Sequence, residues 1–370
     1  MQKPQTLPTH QDTLPIQDID HIELYVGNAK QTAFYLCKLL GLQIIAYSGL
    51  ETGNRDRASY VLQGGDIHIL ISAAYHNDHP IARFVAEHGD GVKDIALRVT
   101  NLEQTYTQAI TNGGIPNTAP YTEHDAHGTV QKAVLGTYGD LTHTLIDREN
   151  YQGAFLPGYQ PVDEPKPTLN TRLTRIDHLA LNVENMNQWT DFYERVFGFN
   201  LLREFNKEDV SSDTSSLMTK AMQNGSELVK FPIVEPAPGK KKSQVQEFLD
   251  YNSGPGVQHI ALLTDDILTC VEQLQQNGIQ FLYTPDTYYD MLPARVGDID
   301  EPLPELNRLN ILVDRDHEGY LLQIFAQPIH DRPTLFFEII QRKGSRGFGN
   351  GNIRALFQAV EREQARRGNL

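Results

Sequence analysis

The chain has 370 residues, long for a single hydrophobic core, so two domains are the default expectation. Its 39% hydrophobic and 21% charged residues are ordinary for a globular protein, and a net charge of −15 argues against nucleic acid or an anionic membrane as partners. The only two cysteines, Cys37 and Cys270, exclude a disulfide framework and point to the cytoplasm, and no apolar run reaches the length of a transmembrane helix.

Residues 1–16 are polar, carry Pro4, Pro8 and Pro15, and are expected to form a disordered tail with no signal-peptide character. The chain then repeats itself. Residues 19–28 read IDHIELYVGN and residues 176–185 read IDHLALNVEN. Alternation of Ile22, Leu24 and Val26, and of Leu179, Leu181 and Val183, predicts strands with one buried face. Each is followed by a helix containing Phe-Tyr (34–35 and 192–193), and then by Gly41 or Gly198 opening an apolar strand. GDGVKDIAL (89–97) matches GPGVQHIAL (254–262), and helical spacing follows over 102–113 and 266–278. Repeats on this scale mean copies of one structural unit. The reading is an α+β fold of tandem βαβββ modules. An N-terminal domain spans 17–155, a proline-rich linker 156–172, and a second domain 173–370. Asn352 is expected to cap a terminal helix over about 352–367, with an apolar stripe of Ile353, Leu356, Phe357 and Val360.

Three residues of the second half stand out: His178, His259 and Glu338, each inside an apolar, β-rich run. No local helix or loop can join them across such spacing. A charged Glu338 flanked by Phe336, Phe337, Ile339 and Ile340 requires a partner to be tolerated there. Two imidazoles and a carboxylate form the facial triad of non-haem Fe(II) oxygenases, which leaves positions open for substrate and O₂. The first copy keeps His21, but has Asp94 where the second has His259, and no carboxylate near Leu145–Ile146 to match Glu338. One copy is therefore built for metal and the other is scaffold.

Over nearly its whole length beyond the tail, the chain resembles the 4-hydroxyphenylpyruvate dioxygenase family, of the vicinal-oxygen-chelate fold. The resemblance rests on YVGNAKQTAFY (25–35), ETGNRDRASYVL (51–62), KKKSQVQEFLDY (240–251), DRDHEGYLLQIF (314–325), DRPTLFFEIIQR (331–342) and GFGNGNIRALFQAVEREQARRGNL (347–370). It implies two open barrel-like domains, with His178, His259 and Glu338 as Fe(II) ligands. It further implies Gln244, Gln258 and Gln323 as polar catalytic groups, and Phe336 with Phe325 and Phe348 as an aromatic wall. Thr219, Pro232 and Val234 would line the substrate, and Asn352, Ile353 and Leu356 would belong to a C-terminal lid helix. Gln258 adjoins His259, so simple strand alternation turns it away from the metal, and its role rests on the resemblance alone.

The implied activity takes 4-hydroxyphenylpyruvate, a 2-oxo acid, and O₂ to homogentisate and CO₂ in tyrosine catabolism. The implied assembly is a homodimer or homotetramer. Thr219 stands where the family usually has Ser, and two further positions depart from the family pattern: Val234 stands where Asn is usual, and Ile353 where Phe is usual. The latter two resemble 4-hydroxymandelate synthase, which uses the same iron site and substrate but hydroxylates the benzylic carbon. That is the alternative product. Metal-dependent isomerases and ring-cleaving dioxygenases of the same fold share the donor set, which also suits Ni²⁺, Zn²⁺ or Mn²⁺.

Overall fold

The computed structural model describes residues 13–163, 171–205 and 216–368; most of the tail read as disordered lies outside them. Order begins slightly earlier than expected, with Leu14 fully buried just ahead of the first strand. The first half runs β1 (Ile16–Tyr25), α1 (Ala29–Leu40), β2 (Gln43–Ser48), β3 (Arg57–Gly64), β4 (Ile67–Ala74), α2 (Pro80–His88), β5 (Gly91–Val99), α3 (Leu102–Thr111), β6 (Ile115–Asp125), β7 (Gly128–Gly136) and β8 (Thr142–Asp147). A two-residue strand, β9 (Gln160–Pro161), leads to the second half. That half runs β10 (Leu173–Asn182), α4 (Met186–Phe192), β11 (Asn200–Phe205), β12 (Ser216–Gln223), β13 (Lys230–Ala237), α5 (Gln244–Tyr251), β14 (Gly256–Thr264) and α6 (Ile267–Gln276). Three short helices follow, α7 (Asp286–Asp290), α8 (Leu292–Val296) and α9 (Leu303–Arg308), and then β15 (Leu312–Arg315), β16 (Tyr320–Phe325), β17 (Phe336–Lys343) and α10 (Asn350–Arg366).

The repeat in sequence is a repeat in local structure. Asn28 and Asn185 cap α1 and α4 by accepting from the backbone N–H of Gln31 and Gln188. Gly41 and Gly198 then stop each helical segment with φ of 68° and 76°, a conformation that favours glycine. One sheet has the order β6-β7-β8-β5-β1-β4-β3-β2-β9, the other β11-β12-β13-β10-β14-β17-β16-β15. In each, a central antiparallel pair (β1–β5, β10–β14) is flanked by parallel neighbours (β4 and β8, β13 and β17). The βαβββ unit thus occurs twice in each half. Helices α7–α9 fill a stretch with no counterpart in the first half.

Two expectations change here. The stretch read as linker starts inside the fold: Phe155 and Leu156 are buried with Val61, Leu70, Ala96, Val130 and Ile146, and β9 pairs with Ala46 and Tyr47. Residues 164–170 lie outside the described residues. The terminal helix starts at Asn350 after Gly349, whose φ of 74° makes it the N-cap, so Asn352 lies inside the helix.

One hydrophobic core spans both halves. His143 on β8 is fully buried at the junction; its ring Nδ1 bonds the Ile95 carbonyl (3.0 Å) and its Nε2 accepts from the Tyr193 hydroxyl (2.8 Å). Burial pushes its pKa down to about 4, which keeps the ring neutral. The Asn224 amide donates to the Ile16 carbonyl, and Thr171 to that of Leu40. Among the described residues, no helix is long and apolar enough to cross a membrane.

Candidate metal centre

The ligand trio comes from three adjacent strands. Register pairs Ala180 with His259 and Ala261 with Glu338, so His178 on β10, His259 on β14 and Glu338 on β17 meet at the centre of the second sheet. Glu338 Oε2 lies 3.2 Å from His178 Nε2 and 3.4 Å from His259 Nε2. All three ligand atoms fall within 4.8 Å of one another, and all three residues are buried. Two ligands held ~2.1 Å from one ion at right angles lie about 3 Å apart, so this spacing suits a first-row dication. The donor set and the geometry fit.

What aims the imidazoles is a pair of β-bulges. Ile176 pairs with Leu262 and His178 with Ala261, leaving Asp177 as the extra residue on β10. On β14, Ala180 pairs with His259 and Leu181 with Val257, leaving Gln258 extra. A bulge breaks alternation and lets two consecutive residues act on the same side. Asp177 Oδ1 therefore reaches His178 Nδ1 (2.8 Å), and Gln258 Oε1 reaches His259 Nδ1 (3.1 Å). Each bond fixes the tautomer with Nε2 free for a metal. The expectation from alternation, that Gln258 turns away, fails for this reason.

The two histidines differ electrostatically. Burial opposes protonation of His178, but Glu338 and Asp177 outweigh it and raise its pKa. Burial lowers that of His259, whose Nδ1 partner is a neutral amide. Glu338 stays below its usual pKa because, against burial, both imidazoles favour the carboxylate. Asp177 is held well below the carboxylate range: burial opposes this, and Arg342 overcomes it.

A cavity of about 80 Å³ opens onto the trio. Of the residues named from sequence, Thr219, Pro232, Val234, Gln244, Gln258, Gln323, Phe325 and Phe348 line it with the three ligands. Phe348 meets the His178 ring edge-on at 5.0 Å. Phe336 is displaced from the wall: it stacks on His259 at 5.0 Å and 27°, bracing a ligand. Gln323 is engaged at both ends, donating to Glu338 Oε1 and accepting from Asn352 Nδ2, each at 3.3 Å. Asn352 is fully buried behind it, its Oδ1 accepting from the Tyr288 hydroxyl (2.6 Å). The side chains of Ile353 and Leu356 lie outside the described residues.

Sequence reasoning missed Asp177, Arg342 and the apolar lining from Ala180, Leu217, Ala221 and Val245. A signal for Asp177 was present, since Ile-Asp-His occurs in both copies. The first sheet repeats the bulge, with Asp20 extra between Ile19 and His21 and bonded to His21 Nδ1 at 2.7 Å. There Asp94 occupies the place of His259, and Thr144 that of Glu338, one residue before the stretch where a counterpart was sought.

A model of the Glyoxalase/Bleomycin resistance protein/Dioxygenase superfamily matches residues 18–132 and 175–324. A 4-hydroxyphenylpyruvate dioxygenase of Yarrowia lipolytica is 43% identical, over 95% of this chain and 93% of its own. One of Pyricularia oryzae is 42% identical, over 95% and 91%. The solved structure of a triple mutant of 4-hydroxymandelate synthase from Streptomyces coelicolor superposes with a TM-score of 0.84 at 34% identity, covering 95% of this chain and all of that one. With this likeness sustained from end to end, the chain belongs to the 4-hydroxyphenylpyruvate dioxygenase family.

Proposed function

We propose that this protein is an Fe(II)-dependent dioxygenase converting 4-hydroxyphenylpyruvate and O₂ to homogentisate and CO₂. The observation that carries the reading is the convergence of His178, His259 and Glu338 at a cavity whose walls are largely apolar. Iron held by these three residues would supply a redox-active Lewis acid able to activate a 2-oxo acid and O₂.

The chain's own residues supply the rest. Phe325, Phe348, Leu217 and Val245 exclude water from the reacting centre, which protects the substrate ring's claim on the oxidant. Gln244 is buried at the first turn of α5 on the cavity wall, and its amide makes no hydrogen bond among the described residues. It is the group best suited to hold the substrate's hydroxyl, and an amide does so without bringing an acidic proton. Gln258 and Gln323 act instead on the ligands, the first through His259 and the second through Glu338. Thr219 and Val234 face each other across the β12–β13 pair and set the width of the cavity beside the ring.

Homogentisate is favoured over hydroxymandelate because relatives at 40–43% identity over 95% of the chain are named for the dioxygenase, against 34% to the synthase. Val234 removes one amide from the wall and leaves the remaining polar groups in place. A cytoplasmic location and assembly as a homodimer or homotetramer belong to the same proposal, supported by the family likeness and by a sequence with only two cysteines. The test is anaerobic loading with Fe(II), then addition of 4-hydroxyphenylpyruvate and air, with products separated against standards. Oxygen-dependent homogentisate with CO₂ release is the expected result. Hydroxymandelate as main product overturns the regiochemistry, and absence of oxygen consumption overturns the reading.

A further inference from the structure

We propose that Asp177 and Arg342 form a positioning unit that orients the ligand His178 before any metal arrives. The proposal rests on the iron-site reading. Asp177 is fully buried, and its two oxygens take three bonds: from His178 Nδ1 (2.8 Å), from Arg342 Nη2 (2.7 Å) on the same Oδ1, and from Arg342 Nε (2.7 Å) on Oδ2. This is the bidentate fork in which guanidinium and carboxylate fix each other's plane. The free end of Arg342 donates to the carbonyls of Gly347 (2.7 Å) and Ser345 (3.2 Å), and its guanidinium lies 5.7 Å from the Phe348 ring. Phe348 in turn meets His178 edge-on. The ligand ring is thus held at its Nδ1 and on its face by groups that converge on one arginine.

The first sheet carries a related assembly without the metal set, in which two arginines share the carboxylate. Asp20 accepts from His21 Nδ1 (2.7 Å), Arg148 Nη1 (3.0 Å) and Arg98 Nη2 (3.0 Å). Phe155 meets His21 edge-on at 5.1 Å, and Arg148 lies 5.2 Å from that ring. In both halves the arginine follows four residues after the position held by Glu338 or Thr144, and the phenylalanine comes from the segment after the last strand. The unit therefore assembles on a sheet that lacks two of the three ligands. It does not need the ion in order to form.

Partners of this kind contribute roughly 10–100-fold in metal affinity. An asparagine at 177 would turn an amide N–H toward an Arg342 donor, so the fork and the histidine bond could not both survive. The test titrates Co(II) anaerobically into metal-free wild type, Asp177→Asn, Arg342→Lys and Asp20→Asn. Binding is read by visible absorption, and thermal stability is followed in parallel. Affinity is expected to fall 10–100-fold in Asp177→Asn and about tenfold in Arg342→Lys. Asp20→Asn is expected to lose stability and bind Co(II) as wild type does. Wild-type affinity in a folded Asp177→Asn overturns the proposal, and so does an equal loss in Asp20→Asn, which would mark a purely structural role. Should Asp177→Asn fail to fold, unchanged affinity in Arg342→Lys overturns it. Wild type that takes up no Co(II) overturns the iron-site reading itself, a distinct result.

Discussion

Replacing Glu338 with Gln removes the anionic member of the trio while keeping its shape. The side chain is 2% exposed and lies 3.2 and 3.4 Å from two imidazole nitrogens, so a change of shape would confound the result. An amide oxygen is a neutral and weaker donor to a dication. A ligand present at a hundred times its Kd stabilises the folded state by about 2.7 kcal/mol, and a hundredfold loss of affinity reduces this to about 0.4 kcal/mol. At roughly 2–4 °C per kcal/mol, the metal-induced rise in Tm should be about 5–10 °C in wild type and near 1 °C in the variant. Scanning calorimetry under argon, with and without Fe(II), gives both numbers. A Glu338→Gln protein that keeps the wild-type metal-induced rise would show that the carboxylate is not a ligand, and the reasoning built on the trio would fall with it.

Asp94 tests what the scaffold copy has retained. Burial pushes its pKa up to about 6, against the Thr142 hydroxyl that donates to it at 2.6 Å. The folded state thus binds this proton more tightly than the unfolded chain. Its contribution is fully present below the unfolded value and is lost as pH rises through about 6. Asp94→Asn should therefore gain on the order of 1–3 kcal/mol at pH 7.5 and little at pH 4, by urea unfolding; an equal effect at both pH values contradicts it. Phe348→Ala opens the face of His178 to water and should lower product formed per O₂ consumed, measured with an oxygen electrode beside chromatography; tight coupling in that variant would show that the ring is no seal. Val234→Asn restores an amide to the wall beside Thr219. It should reduce any hydroxymandelate fraction, and an unchanged product ratio would separate this position from regiochemistry.

Much of this architecture was legible because apolar alternation and the paired glycines depend on a few neighbouring residues. Leu179, Leu181 and Val183 declare a strand, and Gly198 declares a stop, whatever the rest of the chain does. The trio was legible for another reason: a carboxylate amid Phe336, Phe337, Ile339 and Ile340 is too costly without partners. The bulges at Asp177 and Gln258 were not legible, because an extra residue in a strand shows only against the strand it pairs with. That is why Gln258 was read as facing away. Asn352 misled for a related reason. Asparagine is a favoured helix cap, but Tyr288 and Gln323 supply better partners inside the fold, and the positive φ of Gly349 starts the helix earlier. Leu156 was read as the start of a linker because only the curled sheet gives it a place to be buried.

The bond between His143 and Tyr193 has a consequence for how this protein can be cut, inherited or engineered. It lies in a seam where Phe197 and Phe231 also pack against the imidazole, so the two copies share an interior and have no boundary of their own there. A gene fragment encoding only the metal-bearing half would uncover the faces of Tyr193, Phe197 and Phe231 that meet His143, losing part of the roughly 1.5–3 kcal/mol that full burial of each such side chain contributes. The half that holds no metal is thereby placed under the same selection as the half that does. A threonine can stand where the other copy has a ligand, but the copy itself cannot be removed without opening that seam.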